Sequence, residues 1–460
     1  MKKASIGVID VGKTNIKLYL LSNDIEAAVL TSWQIENQVI NTPPYPHFDT
    51  ERHWAWLMDR LKEASSNYCI DKLITTAHGA CAALVTGDQL VLPILDYEHN
   101  RPESCVDYTP PDFTDTLSPA LPLGLNVGRQ LYWQQQQFPT QFSQVTTILP
   151  YPQYWAWRLS GIAANEVSSI GAHTDLWLPR SGEFSDFAHQ QGWSRLFAPL
   201  RRAWEALGPI KTELASQTGL PTDCQILVGL HDSNSSLLPH LIGQTSPFTV
   251  ISTGTWVILM SVGAELDHLD PAKDTLGNVN VLGDPVACAR FMGGREYALL
   301  SGGAQATEEE ILQAAEALIR ARVYALPNWT QTGGPWPGQT GKIIGDAPTT
   351  PAQKIALASL YCALMVDSSL AAVGASEGSL IVEGSFIKSP LFCEVLKLLR
   401  PQQSLRISAD FAGTTRGAAI LANWDRREQI ATPQLNSVNI SLTSDIHAYA
   451  NEWKGRVEIL

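Results

Sequence analysis

The sequence has no uninterrupted run of about 18 apolar residues, so no membrane span is predicted. Cationic side chains are scarce: 32 Lys and Arg stand against 45 Asp and Glu, a formal charge of −13. The most basic stretches, such as Arg201-Arg202 and Arg426-Arg427, are short. Nucleic acid binding needs clustered cations that release counterions, and this chain offers no such cluster. An anionic nucleotide is not excluded, because a metal ion and backbone amides can hold one. The seven cysteines (Cys69, Cys81, Cys105, Cys224, Cys288, Cys362 and Cys393) are odd in number and lack C-x-x-C spacing. They read as reduced thiols of a cytoplasmic protein, not as a disulfide frame or a zinc site. Met1-Lys2-Lys3 begins like a signal peptide, but Asp10 interrupts the apolar run that would have to follow. No G-x-G-x-x-G follows the first expected strand, which argues against a dinucleotide-binding fold.

What is abundant is core material. The chain is 45% hydrophobic and 17% charged over 460 residues, more than one core usually serves, so two domains are expected. Residues 5–10 form an apolar run ending in an acid; a turn at 11–15 and a second run at 16–21 complete a strand–turn–strand pattern. A third strand is expected within 25–35. In 51–64, Trp54, Leu57, Met58 and Leu61 recur at helical spacing. A strand at 71–76 and a hairpin around 86–89 follow. Residues 128–240 mix helical and loop signals and close on a buried strand, 225–229, that runs into His231-Asp232. The opening pattern then returns: strand 248–252, turn 253–255, strand 256–262. Helices are expected at 307–323 and 352–373, around a Gly/Pro-rich loop at 327–350. Strand 380–382, helix 390–399, strand 405–408 and helix 415–423 come next. Beyond 424 the one readable feature is an edge strand at 438–442. The reading is α/β, with two structurally repeated domains, 1–243 and 244–460, facing each other across a central cleft.

Four segments carry candidate chemistry. In Asp10-Val11-Gly12-Lys13-Thr14-Asn15-Ile16-Lys17, turn amides and a hydroxyl can hold phosphate oxygens, while Asp10 can hold Mg2+ through water. The same letters also suit an ordinary hairpin. Thr253-Gly254-Thr255 offers two hydroxyls and a close backbone approach to a polyanion, or simply a second hairpin turn. In Gly229-Leu230-His231-Asp232-Ser233, an aspartate at a strand end beside a helix start can act as a general base or as a helix N-cap. His231 suits packing or a substrate hydrogen bond. Glu383-Gly384-Ser385 is a strand-to-helix turn whose glycine can admit a flat ring and ribose against backbone. Arg295 and Glu296 lie in a Gly-rich stretch whose orientation is left open.

In this order the four segments resemble those of the FGGY carbohydrate kinases, of the hexokinase/actin/Hsp70 superfamily, up to about residue 422. The resemblance implies two ribonuclease H-like (actin-like ATPase) domains, with sugar bound by the N-terminal one and ATP by the C-terminal one. It gives Asp10, Gly12, Lys13, Thr14, Asn15 and Lys17 to a first phosphate motif, Thr253, Gly254 and Thr255 to a second, and Gly384 and Ser385 to an adenosine motif. Asp10 would position Mg2+. Residues 74–79 and 93–98 resemble sugar-contacting segments, implying contacts from Ala77, His78 and Glu98, joined by His231, Asp232 and Ser233. Asp232 would be the catalytic base. His231-Asp232-Ser233 and Thr253-Gly254-Thr255-Trp256 look closest to the rhamnulokinase and fuculokinase branch, implying a 6-deoxy-ketohexose or a pentulose as acceptor. Three positions depart from the family pattern: Glu98 for an aspartate, Glu383 for a glycine, and Ser389 near a common asparagine. The competing expectation is a sugar sensor or scaffold on the same fold without transfer; the retained Asp232 favours an enzyme. Partners are thus a ketose and ATP, with no nucleic acid or membrane, and a homodimer is left open.

Overall fold

The computed structural model describes residues 3–459 apart from 25, 332, 409–412 and 430–433; at 3 and 4 it describes the backbone alone. The chain forms two compact units. The first is Met1–Gly243 with Asn278–Pro285 and Ala412–Thr432; the second is Gln244–Gly277, Val286–Phe411 and Pro433–Leu460.

The first unit is built on β1 (Lys3–Val11), β2 (Asn15–Ser22), β3 (Val29–Glu36), β4 (Tyr68–Ala77), β5 (Ala206–Pro209), β6 (Gln225–Leu227) and β7 (Leu230–His231). They form one seven-stranded sheet in the order β5-β6-β4-β1-β2-β3, with β7 also on β4. β1, β2 and β3 run as an antiparallel meander, whereas β4 lies parallel to β1, and β6 and β7 parallel to β4. Side chains alternate between faces along a strand. Ile9 and Val11 of β1 therefore join Ile16, Leu18 and Leu20 of β2 on one face, under α1 (Thr50–Asn67) and α2 (Tyr151–Ser160). Ile6, Val8, Leu21 and Ile74 occupy the other face, with Leu238 of α3 (Asp232–Gly243) and Ala418 to Ala422 of a late helix, Gly413–Ala422. Covered on both faces, β1 reads as a nearly continuous apolar run.

The second unit repeats this plan. Its strands are β8 (Phe248–Thr253), β9 (Val257–Val262), β10 (Thr275–Val279), β11 (Pro285–Phe291), β12 (Ser379–Gly384), β13 (Leu405–Ser408) and β14 (Leu435–Ser437), in the order β10-β11-β9-β8-β12-β13-β14. β8 is antiparallel to β9 and β9 to β11, while β12 is parallel to β8 and β13 to β12. The helix Pro351–Ala372 is long and apolar enough to pass for a membrane span, yet 83% of its most apolar window is buried, so it is a core helix.

The two units are not the contiguous halves 1–243 and 244–460, since Asn278–Pro285 and the helix Gly413–Ala422 group with the first unit; the other differences from the sequence expectation are local. The edge strand forms at Leu435–Ser437 rather than at 438–442, and a C-terminal helix, Ile446–Val457, follows it. That helix buries Ile446, Tyr449, Ala450, Trp453 and Val457, a 3.6-residue stripe the sequence does carry.

Gly229, between β6 and β7, has φ +77°, and a Cβ there would lie 2.2 Å from the Thr75 carbonyl oxygen. Both strain and collision forbid a side chain. Gly229→Ala should cost at least about 2 kcal/mol, a fall of about 4 °C or more in Tm. Gly87→Ala, at φ +57° in an open turn, is the control and should cost about half as much. Equal melting temperatures for the two variants would refute the collision.

Candidate active site

Strand parity assembles the site. Asp10 lies on the β1 face of Ile6 and Val8, and in register it stands opposite Lys17 of β2 and Thr76 of β4. β7 ends with His231 opposite Ala77, and α3 begins at the next residue on that same face of the sheet. The carboxyl ends of three parallel strands thus deliver Asp10, Ala77-His78 and His231-Asp232 to one place, where open α/β sheets commonly bind ligands. The two carboxylates sense each other. Burial, then the charge of Asp232, pushes the Asp10 carboxyl up to about 7 against the pull of Lys17. The Thr76 hydroxyl beside them is buried and has no hydrogen-bond partner among the described residues.

Asp232 is half-buried and accepts from the Ser233 amide at 2.6 Å and from the Ser233 hydroxyl at 3.3 Å, with His231 Nε2 3.4 Å away. A helix-start contact and a place among the strand ends therefore coexist in this one residue. His231 is buried and its Nδ1 has no hydrogen-bond partner among the described residues.

His78 is caged by rings: Phe48, Tyr97 and Tyr151 lie with centroids 5.4, 5.4 and 5.1 Å from its own. Burial pushes its imidazole down to about 4, so the ring is neutral at physiological pH. Nδ1 donates to the Gly79 carbonyl at 2.8 Å, which leaves Nε2 as a lone-pair acceptor, buried and without a partner among the described residues. Such an atom is suited to accept a hydroxyl hydrogen. Ala77 is wholly buried in the core cluster and Ser233 is half-buried.

The β1–β2 turn is pinned at its base. Gly12 N donates to Asn15 O, Asn37 N to Thr14 O, and Asn37 Nδ2 to Gly12 O, at 3.0, 2.9 and 2.7 Å. Thr14 is exposed at the tip. Residues 7–14, Gly-Val-Ile-Asp-Val-Gly-Lys-Thr, also satisfy the letter spacing of a P-loop. A P-loop opens a helix after its strand; here the glycines sit in β1 and in a hairpin turn, so the pattern is met without the loop. Lys13 differs accordingly. Its Nζ hydrogen-bonds Asp96 and lies 3.4 Å from Glu98 Oε2, over the rings of Phe48 and Tyr97 at 5.1 and 4.7 Å. Asp96 is buried, whereas the Glu98 side chain is 59% exposed. Asp96, Thr76 and the ring cage are site features that the sequence reading did not single out; the acidic-aromatic run Asp96-Tyr97-Glu98 was the available signal.

In the second unit the TGT turn splits by role. The Thr253 hydroxyl is buried, donating to Glu383 O at 2.5 Å and accepting from Phe386 N at 2.9 Å, so it fastens β8 to the turn after β12. Gly254 and Thr255 are exposed. Gly384 has φ +86°, and a Cβ there would meet Thr253 O at 2.0 Å; Ser385 beside it is exposed and donates to that same oxygen at 3.2 Å. The 3-10 turn Ser385–Lys388 leads from Gly384 to a cavity of about 650 Å3 lined by Tyr297, Gln305, Glu309, Leu312, Lys388 and Ser389, a volume typical of ligand sites. Arg295 is exposed. Glu296 is buried and structural, accepting from Trp329 N, Thr330 N, the Thr330 hydroxyl and the Tyr361 hydroxyl.

Among the described residues no group of three or more His, Cys, Asp or Glu side chains could hold a metal alone. Asp10 and Asp232 together supply hard oxygen donors whose mutual repulsion a cation would relieve. That set fits Mg2+, which is commonly held by one or two carboxylates with water and substrate phosphates completing its shell.

Comparisons with known proteins bear on the family and the fold. The family described as "Carbohydrate kinase FGGY, C-terminal domain" matches residues 245–431. The crystal structure of a carbohydrate kinase from Novosphingobium aromaticivorans is 34% identical, with a TM-score of 0.92, covering 100% of this chain and 99% of that one. A ligand-bound xylulose kinase from Lactobacillus acidophilus shares the fold at 15% identity, TM-score 0.80, over 99% of this chain and 96% of that one. An L-fuculokinase from Salmonella typhi is 22% identical over 284 residues, 58% of each chain, so the match spans little more than half of that relative. Taken with two α/β units of one plan and full-length coverage at 34% identity, these findings establish that the chain belongs to the FGGY carbohydrate kinase family.

Proposed function

We propose that this protein transfers the γ-phosphoryl group of ATP to a hydroxyl of a small ketose, with Asp232 as general base. The observation that carries the reading is the meeting of Asp10 and Asp232 at the carboxyl ends of β1 and β7, beside a neutral His78 whose Nε2 awaits a donor. The sugar oxygen attacks the γ-phosphorus, its proton passes to Asp232, and the bond to the β–γ bridging oxygen breaks to release ADP. Such reactions depend on positioning and charge stabilisation more than on covalent chemistry by the protein.

His78, Glu98, His231 and Ser233 would orient the sugar, with Ala77 contributing through its backbone. The Gly12–Asn15 turn and Thr14 would hold phosphoryl oxygens, and Lys17, opposite Asp10, would balance charge there. In the second unit Gly254 and Thr255 would meet phosphate, while Gly384 and Ser385 would border adenosine in the nearby cavity. Asp10 would hold Mg2+, which when bound screens the phosphate charge. A 6-deoxy-ketohexose or a pentulose is the proposed acceptor, supported by the matches to the L-fuculokinase and to 137 residues of a rhamnulokinase from Halalkalibacterium halodurans. The cytoplasm, where ATP is supplied and seven free thiols stay reduced, is the proposed compartment.

ADP release should be measured with rhamnulose, fuculose, ribulose and xylulose in turn. Stimulation by at least one is expected; ADP release that ignores every ketose would refute the reading. With the best acceptor, Asp232→Asn should lower kcat by about 10²–10⁴-fold and leave sugar and ATP binding nearly unchanged. A kcat within a few-fold of wild type would remove Asp232 as base. The two threonines of the TGT turn should separate as well. Thr255→Val should raise KM for ATP with Tm unchanged, whereas Thr253→Val should lower Tm by a few degrees, through a buried amide left unpaired. An unaltered ATP response in Thr255→Val would exclude it from the phosphate site.

A further inference from the structure

We infer that Lys13 belongs to the sugar side of the site, where it holds together a wall whose carboxylates select a neutral polyhydroxylated acceptor, and is not a phosphate ligand. This deepens the kinase reading above and rests on it.

Three observations converge. Lys13 Nζ is committed to Asp96 and to Glu98 Oε2 at 3.4 Å, and the Lys13 side chain is 24% exposed. Its ammonium has three N–H donors, and among the described residues two carboxylates are its only polar partners, so one donor is unspent. The same ammonium lies over Phe48 and Tyr97, the two rings that also flank His78. Lys13 and His78 therefore belong to one wall, built on two shared rings. That wall pairs an unspent N–H donor with an unpartnered buried acceptor, His78 Nε2, and sets apolar faces between them. A donor and an acceptor on either side of the half-buried Tyr97 ring match a carbon chain bearing hydroxyls, whose C–H edge lies on that ring while its oxygens both give and take hydrogen bonds.

Charge decides which such molecules enter. Around the wall stand Asp10, Asp96, Glu98 and Asp232, opposed by Lys13 and Lys17, with His78 neutral. A substrate carboxylate would add another negative group to this set, whereas a hydroxyl adds none. Lys13 is what keeps Asp96 and Glu98 compensated, so its loss disturbs the sugar wall and leaves the hairpin amides, bonded through Gly12, Thr14 and Asn37, where they are.

Lys13→Met keeps the stem and removes the charge. With the best ketose of the panel, KM for sugar should rise about tenfold or more while KM for ATP stays within twofold. Calorimetric titration with the sugar alone should show the same loss without relying on turnover. Six-carbon aldonates should compete at least tenfold less well than the ketose against wild type. If Lys13→Met folds poorly because Asp96 is left buried without its partner, Lys13→Met with Asp96→Asn removes that charge, and the same split between the two KM values is expected. A rise in KM for ATP with sugar affinity retained, in either variant, would overturn the assignment and make Lys13 a phosphate ligand. Aldonates binding as well as ketoses would overturn the charge selection. Failure of the kinase reading would look different: a wild type that releases no ketose-dependent ADP, which would remove both.

Discussion

Two carboxylates that must share one half-buried floor set the terms for this site. Asp10 sits on a central strand covered on both faces, and Asp232 opens a helix packed against the same face. Burial and mutual repulsion make it costly for both to be charged at once, and this lifts the Asp10 carboxyl to about 7. A proton on Asp10 can relieve that cost, and so can a divalent cation, which does so with both groups ionised. The fold thus holds a charge deficit where the proposed reaction brings in Mg2+ and phosphate, a use of pre-set electrostatics common in phosphoryl-transfer sites.

The surrounding structure serves that placement. Parallel pairing of β4 to β1 and of β7 to β4 fixes the three strand ends level with one another, within a residue of Asp10, Ala77 and His231. Gly229 lets the chain pass close to Thr75 before β7, where a side chain would displace it. The second unit uses the same construction differently. At the matching strand end the Thr253 hydroxyl is spent on fastening Glu383 and Phe386, so the exposed chemistry shifts to Gly254 and Thr255. A repeated architecture therefore carries two unlike strand ends, one bearing the Asp10 carboxylate and one bearing threonine hydroxyls.

Much of this was legible in the chain. The strand–turn–strand pattern at both starts, the position of Asp232 after a buried strand, and the glycine at 384 follow from short-range rules of apolar runs and turn residues. Three things were not. The Lys13 ammonium is held by Asp96, 83 residues away in sequence. Thr253 and Thr255 are alike as letters and opposite in exposure. The helix Gly413–Ala422 reads as the last element of the second half, yet its alanines complete the core of the first unit. Each depends on tertiary packing between distant segments, which local periodicity does not encode.

The most direct test is a crystal structure with the best ketose and an unreactive ATP analogue bound. The account predicts the acceptor hydroxyl about 3 Å from the Asp232 carboxylate, another hydroxyl on His78 Nε2, and the metal-bound phosphates on the Asp10 side. A sugar bound away from the ends of β1, β4 and β7, or an Asp232 facing no hydroxyl, would contradict it.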